Sequence, residues 1–273
     1  MKKSDEMKKM CQEKGIRMID FKMTDLDGRW RHITIPVERF DEDIFVYGIG
    51  FDGSNYGYAP VEKSDMVFIP DPDTAVVDPF AEVPTLTMCG DVCVIGEENK
   101  PFDQYPRNVS LRAMEYMKEL GVADEMLIGP EFEFHLLDHV RYEVTPQRSG
   151  YAVDTRQAAW NSGKESPDNG GFQVKGHGGY HIGAPHDVAY SLRSKMCILL
   201  EDWGVDVKYH HHEVGGSGQM EIEVELGDMV DMADKTMIIK YVIKNAAVQD
   251  GRTATFMPKP IYQEAGNGMH VHM

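Results

Sequence analysis

Carboxylate and imidazole side chains are concentrated in three short stretches of this sequence. They are GPEFEFHLLD at residues 129–138, YHHHEVGGSGQMEIEVE at residues 209–225 and GNGMHVHM at residues 266–273. In each stretch glutamates or histidines alternate with apolar residues, and this period of two is typical of a β-strand with unlike faces. Each stretch therefore predicts a strand that gathers acidic or imidazole groups on one side.

The first stretch shows what this alternation could do. Glu131 and Glu133 share a strand face and lie about 7 Å apart, from two rises of about 3.3 Å. Inside a protein, two such carboxylates repel each other unless a proton or a cation accompanies them. For one stretch alone, a strand with a solvated acidic face explains the pattern equally well. Three such stretches in one chain favour a cluster that binds cations.

The residue types indicate which cations these would be. Mg²⁺ prefers carboxylate oxygens and Mn²⁺ also accepts imidazole nitrogens, whereas structural zinc favours cysteines. The four cysteines form no CxxC pair and match no zinc spacing. We therefore expect a site for two or more Mg²⁺ or Mn²⁺ ions. Such sites neutralise nucleotide phosphates and a transferring phosphoryl group.

The charge balance argues against several classes of partner. With 28 basic and 45 acidic residues the formal charge is −17, which disfavours non-specific nucleic-acid binding and an anionic membrane surface. The sequence shows no signal peptide and no run of about 18 apolar residues. Its cysteine pattern favours reduced thiols, so we expect a cytoplasmic protein. Walker, GxGxxG and GxSxG motifs are absent, which excludes P-loop, Rossmann and α/β-hydrolase interpretations.

The elements that must position these residues form two groups. Alternating residues on both sides of Asp27-Gly28 predict a β-hairpin. Further short strands are predicted at residues 66–69, 85–89 and 92–95. Apolar residues at helical spacing predict helices near residues 109–120, 188–203 and 229–248. The sequence therefore predicts a small, mostly β unit over residues 1–104 and a larger unit over residues 105–273.

Read in order, these stretches resemble the type I (bacterial) glutamine synthetase family, from the hairpin to the last residue. The motifs that carry the resemblance are FDGSNYGYAPVEKSDM, IPDPDTAVVDPF, GPEFEFHLLD, AAWNSG, KGHGGY, LRSKMCILLEDWGVDVKYHHHEV, GQMEIEV, DGRTATFMPKP and GNGMHVHM. The resemblance implies an α+β fold. A small N-terminal β-grasp-like domain, residues 1–104, would precede an incomplete α/β catalytic barrel domain, residues 105–273.

The resemblance also implies an activity, which is ATP-dependent glutamate–ammonia ligation. In the family, the side-chain carboxylate of glutamate attacks the γ-phosphate of ATP, and ammonia then displaces phosphate from γ-glutamyl phosphate. The implied partners are glutamate, ammonium, ATP and two divalent ions. The family forms ring-shaped homo-oligomers, usually dodecamers of two stacked hexamers, with active sites between subunits.

The family's functional positions carry over to ten residues here. The implied metal ligands are Glu131, Glu133, Glu213, Glu221 and His270. One ion would contact Glu133, Glu213 and Glu221, and the other would contact Glu131 and His270. The implied ATP-binding residues are His272 and Lys208, the implied glutamate-binding residues are Gly266 and Ala265, and the implied catalytic residue is Asp52, which would bind ammonium and help remove its proton.

Several departures from the family pattern concern the substrate more than the reaction. Ala265 replaces the usual asparagine, Lys208 stands where a glutamate is commoner, and NYGYAP follows FDGS. The family continues beyond Met273, so we expect a truncated chain that is inactive alone. Two alternatives stay open. One is a related γ-glutamyl ligase that uses an amine or polyamine, and the other is a non-catalytic subunit of the same fold.

Overall fold

The chain folds as two units, Met1–Met126 and Leu127–Met273, and each is described by itself. The computed structural model describes residues 3–96, 98–167 and 169–273. The structural division falls after residue 126 because the helix that follows residue 104 packs with the first unit. There the Asn108 side chain donates to the backbone carbonyls of Val92 and Phe102, each at 3.0 Å. The boundary after residue 104 stays a prediction.

Within its described residues, the first unit has three α-helices and eight strands. The helices are α1 (Lys3–Glu13), α2 (Ile44–Tyr47) and α3 (Pro106–Glu119). The strands are β1 (Met18–Thr24), β2 (Trp30–Pro36), β3 (Ile49–Asp52), β4 (Asp65–Pro70), β5 (Val76–Val77), β6 (Thr85–Met88), β7 (Gly90–Val94) and β8 (Lys100–Pro101). The predicted hairpin is β1–β2, and the three further strands predicted from the sequence correspond to β4, β6 and β7.

Two four-stranded sheets build the first unit. One has the order β2-β1-β6-β5, with β1 and β6 parallel, and the other has the order β3-β4-β7-β8. Their apolar faces share one core, where the rings of Phe21 and Phe68 lie 5.9 Å apart and are fully buried. Burying one such side chain contributes about 1.5–3 kcal/mol. Gly28 closes the β1–β2 turn at φ 73°, a conformation that glycine adopts without strain.

The second unit is built around one long strand. Its strands are β9 (Leu127–Leu137), β10 (His139–Val144), β11 (Ser149–Asp154), β12 (Val207–His212), β13 (Gln219–Val224), β14 (Gly227–Asp228), β15 (Thr253–Thr255) and β16 (Val271–His272). Its helices are α4 (Tyr190–Asp202) and α5 (Met229–Gln249). Strand β9 pairs antiparallel with β13, β14, β15 and β16 along its length, and β12 pairs with β13.

Helices α4 and α5 confirm the helical spacing of the sequence. Asp228 caps α5, because its carboxylate accepts hydrogen bonds from the backbone N–H groups of Val230 and Asp231. Gly204 and Gly251 follow the two helices at φ 74° and 73°. The helices pack on each other, α4 on β12 and α5 on β9. Their apolar faces cover the side of the sheet that does not carry the glutamates.

A buried ion pair links α4 to the segment before it. Both carboxylate oxygens of Asp187 accept hydrogen bonds from Arg193, at 2.9 and 2.6 Å. The side chains are only 4% and 1% exposed. Burial opposes the charge on Asp187, but its bonds to Arg193 outweigh this effect and lower the pKa of Asp187.

The hairpin β10–β11 was not predicted from the sequence. Its strands alternate weakly, and the connection TPQR contains neither Asn-Gly nor Asp-Gly. Val144, Tyr142 and Tyr151 are exposed on it. None of the helices in the described part of the chain has the length and apolar character needed for a transmembrane span.

Candidate metal and phosphate site

The register of β9 and β13 brings two acidic stretches into one cluster. Glu131 lies opposite Glu223, and Glu133 lies opposite Glu221. Side chains that are directly opposite on antiparallel strands have Cβ atoms about 4.5–5.5 Å apart. Glu133, Glu221 and Glu223 are 9%, 6% and 2% exposed. A solvated acidic face is therefore the wrong interpretation for these three, and their mutual repulsion requires a compensating charge.

Strand β16 and the residue before it bring the two histidines to the same cluster. It pairs with the N-terminal half of β9, and the backbone N–H of Glu131 donates to the carbonyl of His270 at 2.9 Å. His272 Nε2 lies 2.6 Å from Glu131 Oε1, and His270 Nδ1 lies 2.8 Å from Glu131 Oε2. The hydrogen bond to His272 is the largest reason that the pKa of Glu131 is lowered. Both predicted histidines thus lie beside the predicted ligand Glu131.

Glu213 reaches the cluster from the turn between β12 and β13. Its backbone N–H donates to the carbonyl of Gln219 at 2.9 Å, and its carboxylate accepts from the N–H of Val214. Burial, followed by the charge of Glu133, raises the pKa of Glu213 to about 7. Burial, followed by the charges of Glu131 and Glu213, raises the pKa of Glu221 to about 8.

The raised pKa values of Glu213 and Glu221 indicate whether this group of residues suits divalent cations. Buried carboxylates hold protons when their negative charges lack compensation, and a bound cation removes that need. Carboxylate oxygens with imidazole nitrogens are donors that suit Mg²⁺ and Mn²⁺. Glu133, Glu213 and Glu221 could hold one ion, and Glu131 with His270 could contribute to a second. The donor set therefore fits the expected metal pair.

Gln219 is a residue of this site that the sequence analysis missed. It is fully buried, and its amide nitrogen lies 2.8 Å from Glu133 Oε2 and 2.8 Å from the carbonyl oxygen of Gly266. The backbone N–H of Gly268 donates to the same Glu133 oxygen at 3.0 Å. Gln219 thus fixes a predicted metal ligand and the loop before β16 together. Gln219 lies opposite His135, two residues along β9 from Glu133. This neighbourhood could be found only from the register of β13 on β9.

The loop of residues 264–268 contains the two predicted glutamate-binding positions, Gly266 and Ala265. A Cβ atom at Gly266 would lie 2.3 Å from the carbonyl oxygen of Pro258, so only glycine fits there without a shift of the backbone. The buried carboxylate of Glu264 accepts from the N–H groups of His177 and Ala265, at 3.0 and 3.1 Å. The loop is therefore held in place, and its role in glutamate binding stays a prediction.

Lys208, a predicted ATP-binding residue, lies at the acidic cluster. Its ammonium donates to Glu223 Oε1 at 2.5 Å and lies 5.2 Å from the centre of the Tyr209 ring. Glu223 was not predicted as a site residue, although it shares the strand face of Glu221. Only the pairing of β13 with β9 shows that it lies opposite Glu131. The nucleotide contacts of Lys208 and His272 stay predictions.

Asp52, the predicted catalytic residue, lies at the end of β3 in the first unit. It is exposed, and its carboxylate accepts from the hydroxyl and the N–H of Ser54, at 2.6 and 2.9 Å. These two bonds are the largest reasons that its pKa is lowered. Asp52 is therefore an exposed anion at neutral pH, which is the chemistry that a bound ammonium ion requires.

Two family models match the chain in sequence order. The model described as glutamine synthetase, β-grasp domain, matches residues 15–95. The model described as glutamine synthetase, catalytic domain, matches residues 103–273. The chain belongs to the glutamine synthetase family. The expected α+β fold, with a β-grasp domain before a glutamine synthetase catalytic domain, is confirmed.

Curated relatives show how much of such a protein this chain represents. It is 44% identical over 269 residues to glutamine synthetase from Pasteurella multocida (strain Pm70), covering 97% of this chain and 56% of that protein. It is 43% identical over 269 residues to 3-hydroxylaminophenol mutase from Cupriavidus pinatubonensis, covering 98% of this chain and 57% of that protein. The chain thus spans little more than half the length of these glutamine synthetase family relatives.

Solved structures show the same fold. Glutamine synthetase from Plasmodium falciparum superimposes with a TM-score of 0.85 at 26% identity, covering 98% of this chain and 53% of that chain. A complex of GmaS with ADP superimposes with a TM-score of 0.72 at 25% identity, covering 97% of this chain and 54% of that chain. The glutamine synthetase fold therefore extends over nearly all of the 273 residues.

Proposed function

We propose that this chain provides the β-grasp unit and the cation-binding strands of an ATP-dependent glutamate–ammonia ligase, which makes glutamine through γ-glutamyl phosphate. The observation that carries the proposal is the cluster of buried and half-buried carboxylates where β9, β13 and the β12–β13 turn meet. Its members are Glu131, Glu133, Glu213 and Glu221. Membership of the glutamine synthetase family supports the same reaction class.

Two Mg²⁺ or Mn²⁺ ions are proposed to occupy this group. Glu133, Glu213 and Glu221 would hold the first ion, and Glu131 with His270 would hold the second. When bound, the ions neutralise phosphate charge, so that a carboxylate can approach the γ-phosphate of ATP. His272 and Lys208 are proposed to contact the nucleotide. The comparison with a GmaS–ADP complex supports a nucleotide as ligand.

The residues around the ions are proposed to set the geometry of the reaction. Gln219 orients Glu133 and, through the carbonyl of Gly266, the loop that would bind glutamate. Ala265 precedes this glycine and has no polar side chain, so backbone groups must supply its part of glutamate recognition. Asp52, an exposed anion, would bind ammonium and accept its proton.

Assembly and location belong to the same proposal. In a ring-shaped homo-oligomer, Asp52 would serve the site of a neighbouring subunit. The four cysteines, all in the described part of the chain, form no disulfide, which supports a reducing compartment such as the cytoplasm. Because the relatives are nearly twice as long as the matched part, the activity belongs to the whole protein. The 273-residue chain by itself is expected to bind cations without making glutamine.

The test of this proposal is Mn²⁺ binding by the 273-residue chain, followed through the electron paramagnetic resonance signal of free Mn²⁺. We expect binding, and we expect Glu221→Gln to weaken it by about tenfold or more, since removal of one ligand charge changes affinity on this scale. Glu225→Gln is the matched control, because Glu225 lies on the same segment and is exposed. Equal binding by the two variants would overturn the proposal.

The acceptor of the γ-glutamyl group is tested separately, with the whole protein. Phosphate release from Mg-ATP and glutamate is measured with ammonium, methylamine or putrescine. We expect ammonium to give the largest rate and Asp52→Ala to abolish it. A larger rate with either amine would identify a γ-glutamyl-amine ligase instead, and no ATP turnover with any acceptor would support a non-catalytic subunit.

A further inference from the structure

Glu223 is a buried carboxylate that the proposed metal ligands do not include. It lies opposite Glu131 on the neighbouring strand and is only 2% exposed. Ligand atoms of Glu131, Glu223 and His272 all lie within 4.8 Å of one another. This spacing is small enough for one cation to contact all three groups.

The two oxygens of Glu223 have different environments. Oε1 accepts a hydrogen bond from Lys208 Nζ at 2.5 Å. Oε2 is fully buried and makes no hydrogen bond within the part of the chain that the structure describes, although the Tyr209 hydroxyl interacts with the same carboxylate. A buried carboxylate oxygen without a donor is costly, and native structures rarely retain one without a water, an ion or a functional reason. One oxygen of Glu223 is therefore available to contact a cation that lies beside Glu131 and His272.

Lys208 reaches Glu223 because of an irregularity in β12. Val207 pairs with Val224 and Tyr209 pairs with Glu223, so two steps along β12 match one step along β13. Lys208 is the extra residue, and such bulges redirect a side chain. The Lys208 side chain is 43% exposed, whereas that of Glu223 is buried. The lysine can therefore move into solvent while the carboxylate stays in place.

We propose that Glu223 is a further protein ligand of the second ion, on the side of Glu131 where His272 lies, and that the Lys208 ammonium competes with this ion for Glu223. This inference rests on the metal site of the proposed function. Without a divalent ion, the ammonium of Lys208 compensates one of the two carboxylate charges. When the ion binds, it neutralises both carboxylates, and repulsion between the two cations expels Lys208 from Glu223.

This arrangement has a direct consequence for affinity. The ammonium on Oε1 repels an ion that binds at Oε2, so the lysine is displaced as the ion binds. The free energy of the Lys208–Glu223 pair is therefore subtracted from that of cation binding. Removal of the lysine charge therefore strengthens binding of the second ion. A purely structural ion pair on the strand edge would leave cation affinity unchanged.

The test is a Mn²⁺ titration of the chain at constant ionic strength, read from the resonance signal of free Mn²⁺. Lys208→Met is expected to tighten binding at one site by about tenfold, as removal of a unit charge a few ångströms from a cation does. Glu223→Gln is expected to weaken the same site by about tenfold or more. Lys195→Met on α4 and Glu225→Gln are the controls, because both residues are exposed.

A combined variant separates direct competition from general electrostatics. When Glu223→Gln is already present, Lys208→Met is expected to change Mn²⁺ affinity no more than Lys195→Met does. The reason is that the Lys208–Glu223 ion pair no longer exists in this variant. Circular dichroism spectra and thermal midpoints verify that each variant is folded. If Lys208→Met and Lys195→Met shift the affinity equally in the original chain, the competitor role is wrong.

The outcomes also distinguish this inference from the proposed function. Mn²⁺ binding that depends on Glu131 and Glu221, but not on Glu223 or Lys208, would overturn the inference and leave the proposed function standing. No Mn²⁺ binding by the original chain would overturn both.

Discussion

Gln219 and Glu133 are joined by a buried hydrogen bond of 2.8 Å, and the same amide nitrogen of Gln219 also lies 2.8 Å from the carbonyl oxygen of Gly266. One side chain thus sets the position of a proposed metal ligand and of the loop before β16. Mutation of groups that orient ligands in this way typically weakens metal affinity by about 10–100-fold. The pairing also explains why a glutamine is buried at the start of β13.

Replacement of Gln219 by leucine roughly keeps the volume and removes three hydrogen bonds, the two that its amide nitrogen donates and the one that its oxygen accepts from the N–H of Gly215. We expect Gln219→Leu to weaken Mn²⁺ binding by about 10–100-fold, because Glu133 loses its orientation. Isothermal titration calorimetry measures the affinity. Gln249→Leu, at an exposed position of α5, is the matched control. An unchanged affinity in Gln219→Leu would show that the N–H of Gly268 alone orients Glu133.

The raised pKa values of Glu213 and Glu221, about 7 and 8, predict a pH dependence of stability without cations. Between pH 7 and pH 8 the folded chain binds more protons than the unfolded chain, whose glutamates have already ionised. The free energy of unfolding therefore falls as the pH rises through this window. Histidine ionisation contributes little there, because the unfolded pKa is about 6.5.

Urea denaturation in the presence of a chelator measures this dependence. Glu221→Gln cannot ionise at this position, so we expect its stability to change less between pH 7 and pH 8 than that of the original chain. Saturating Mg²⁺ should have a similar effect, since bound cations keep the carboxylates ionised in the folded state. A steeper pH dependence in Glu221→Gln would contradict the assignment of the effect to this carboxyl group.

The buried pair of Asp187 and Arg193 predicts a large loss of stability when one partner is neutralised. Asp187→Asn leaves the Arg193 guanidinium buried without its counter-charge, and we expect a loss of about 3–5 kcal/mol. Urea denaturation measures it. The control is Asp231→Asn, which breaks the more exposed pair with Lys235 on α5 and is expected to cost less than about 1 kcal/mol. Similar losses in the two variants would refute the role of burial.

The close approach of Gly266 to Pro258 predicts that even one methyl group is not tolerated there. Because a Cβ at residue 266 would lie 2.3 Å from a backbone oxygen, Gly266→Ala must move the loop, and we expect a loss of about 1–3 kcal/mol. Gly163→Ala is the control, since nothing lies within 4 Å of a Cβ at that position. The thermal unfolding midpoints of both variants are compared. A Gly266→Ala variant as stable as the original chain would show that the loop can shift to accommodate the methyl group.

Sequence alternation was sufficient to predict much of this fold and site. The strand faces of Glu131, Glu133 and Glu221, the hairpin at Gly28 and helix α5 follow from local periodicity. The roles of Gln219 and Glu223 could not be predicted in this way. Both depend on which residue of β9 lies opposite, and cross-strand register is a property of the folded sheet. The irregularity in β12 that makes Lys208 an extra residue facing Glu223 also cannot be predicted from an alternating sequence pattern.

Strand β16 contains two residues, and the side chains of His270 and His272 are 72% and 59% exposed. The contact between His270 and Glu131 joins residues 139 positions apart in the chain. A cation shared by these groups would therefore act as a reversible cross-link that closes a long loop. Loop closure of this length is entropically costly, and a tight ion offsets the cost. Cation binding would thus hold β16 against β9, the central strand of the sheet. The amide hydrogens of β16 would then exchange with solvent more slowly when the cation is bound.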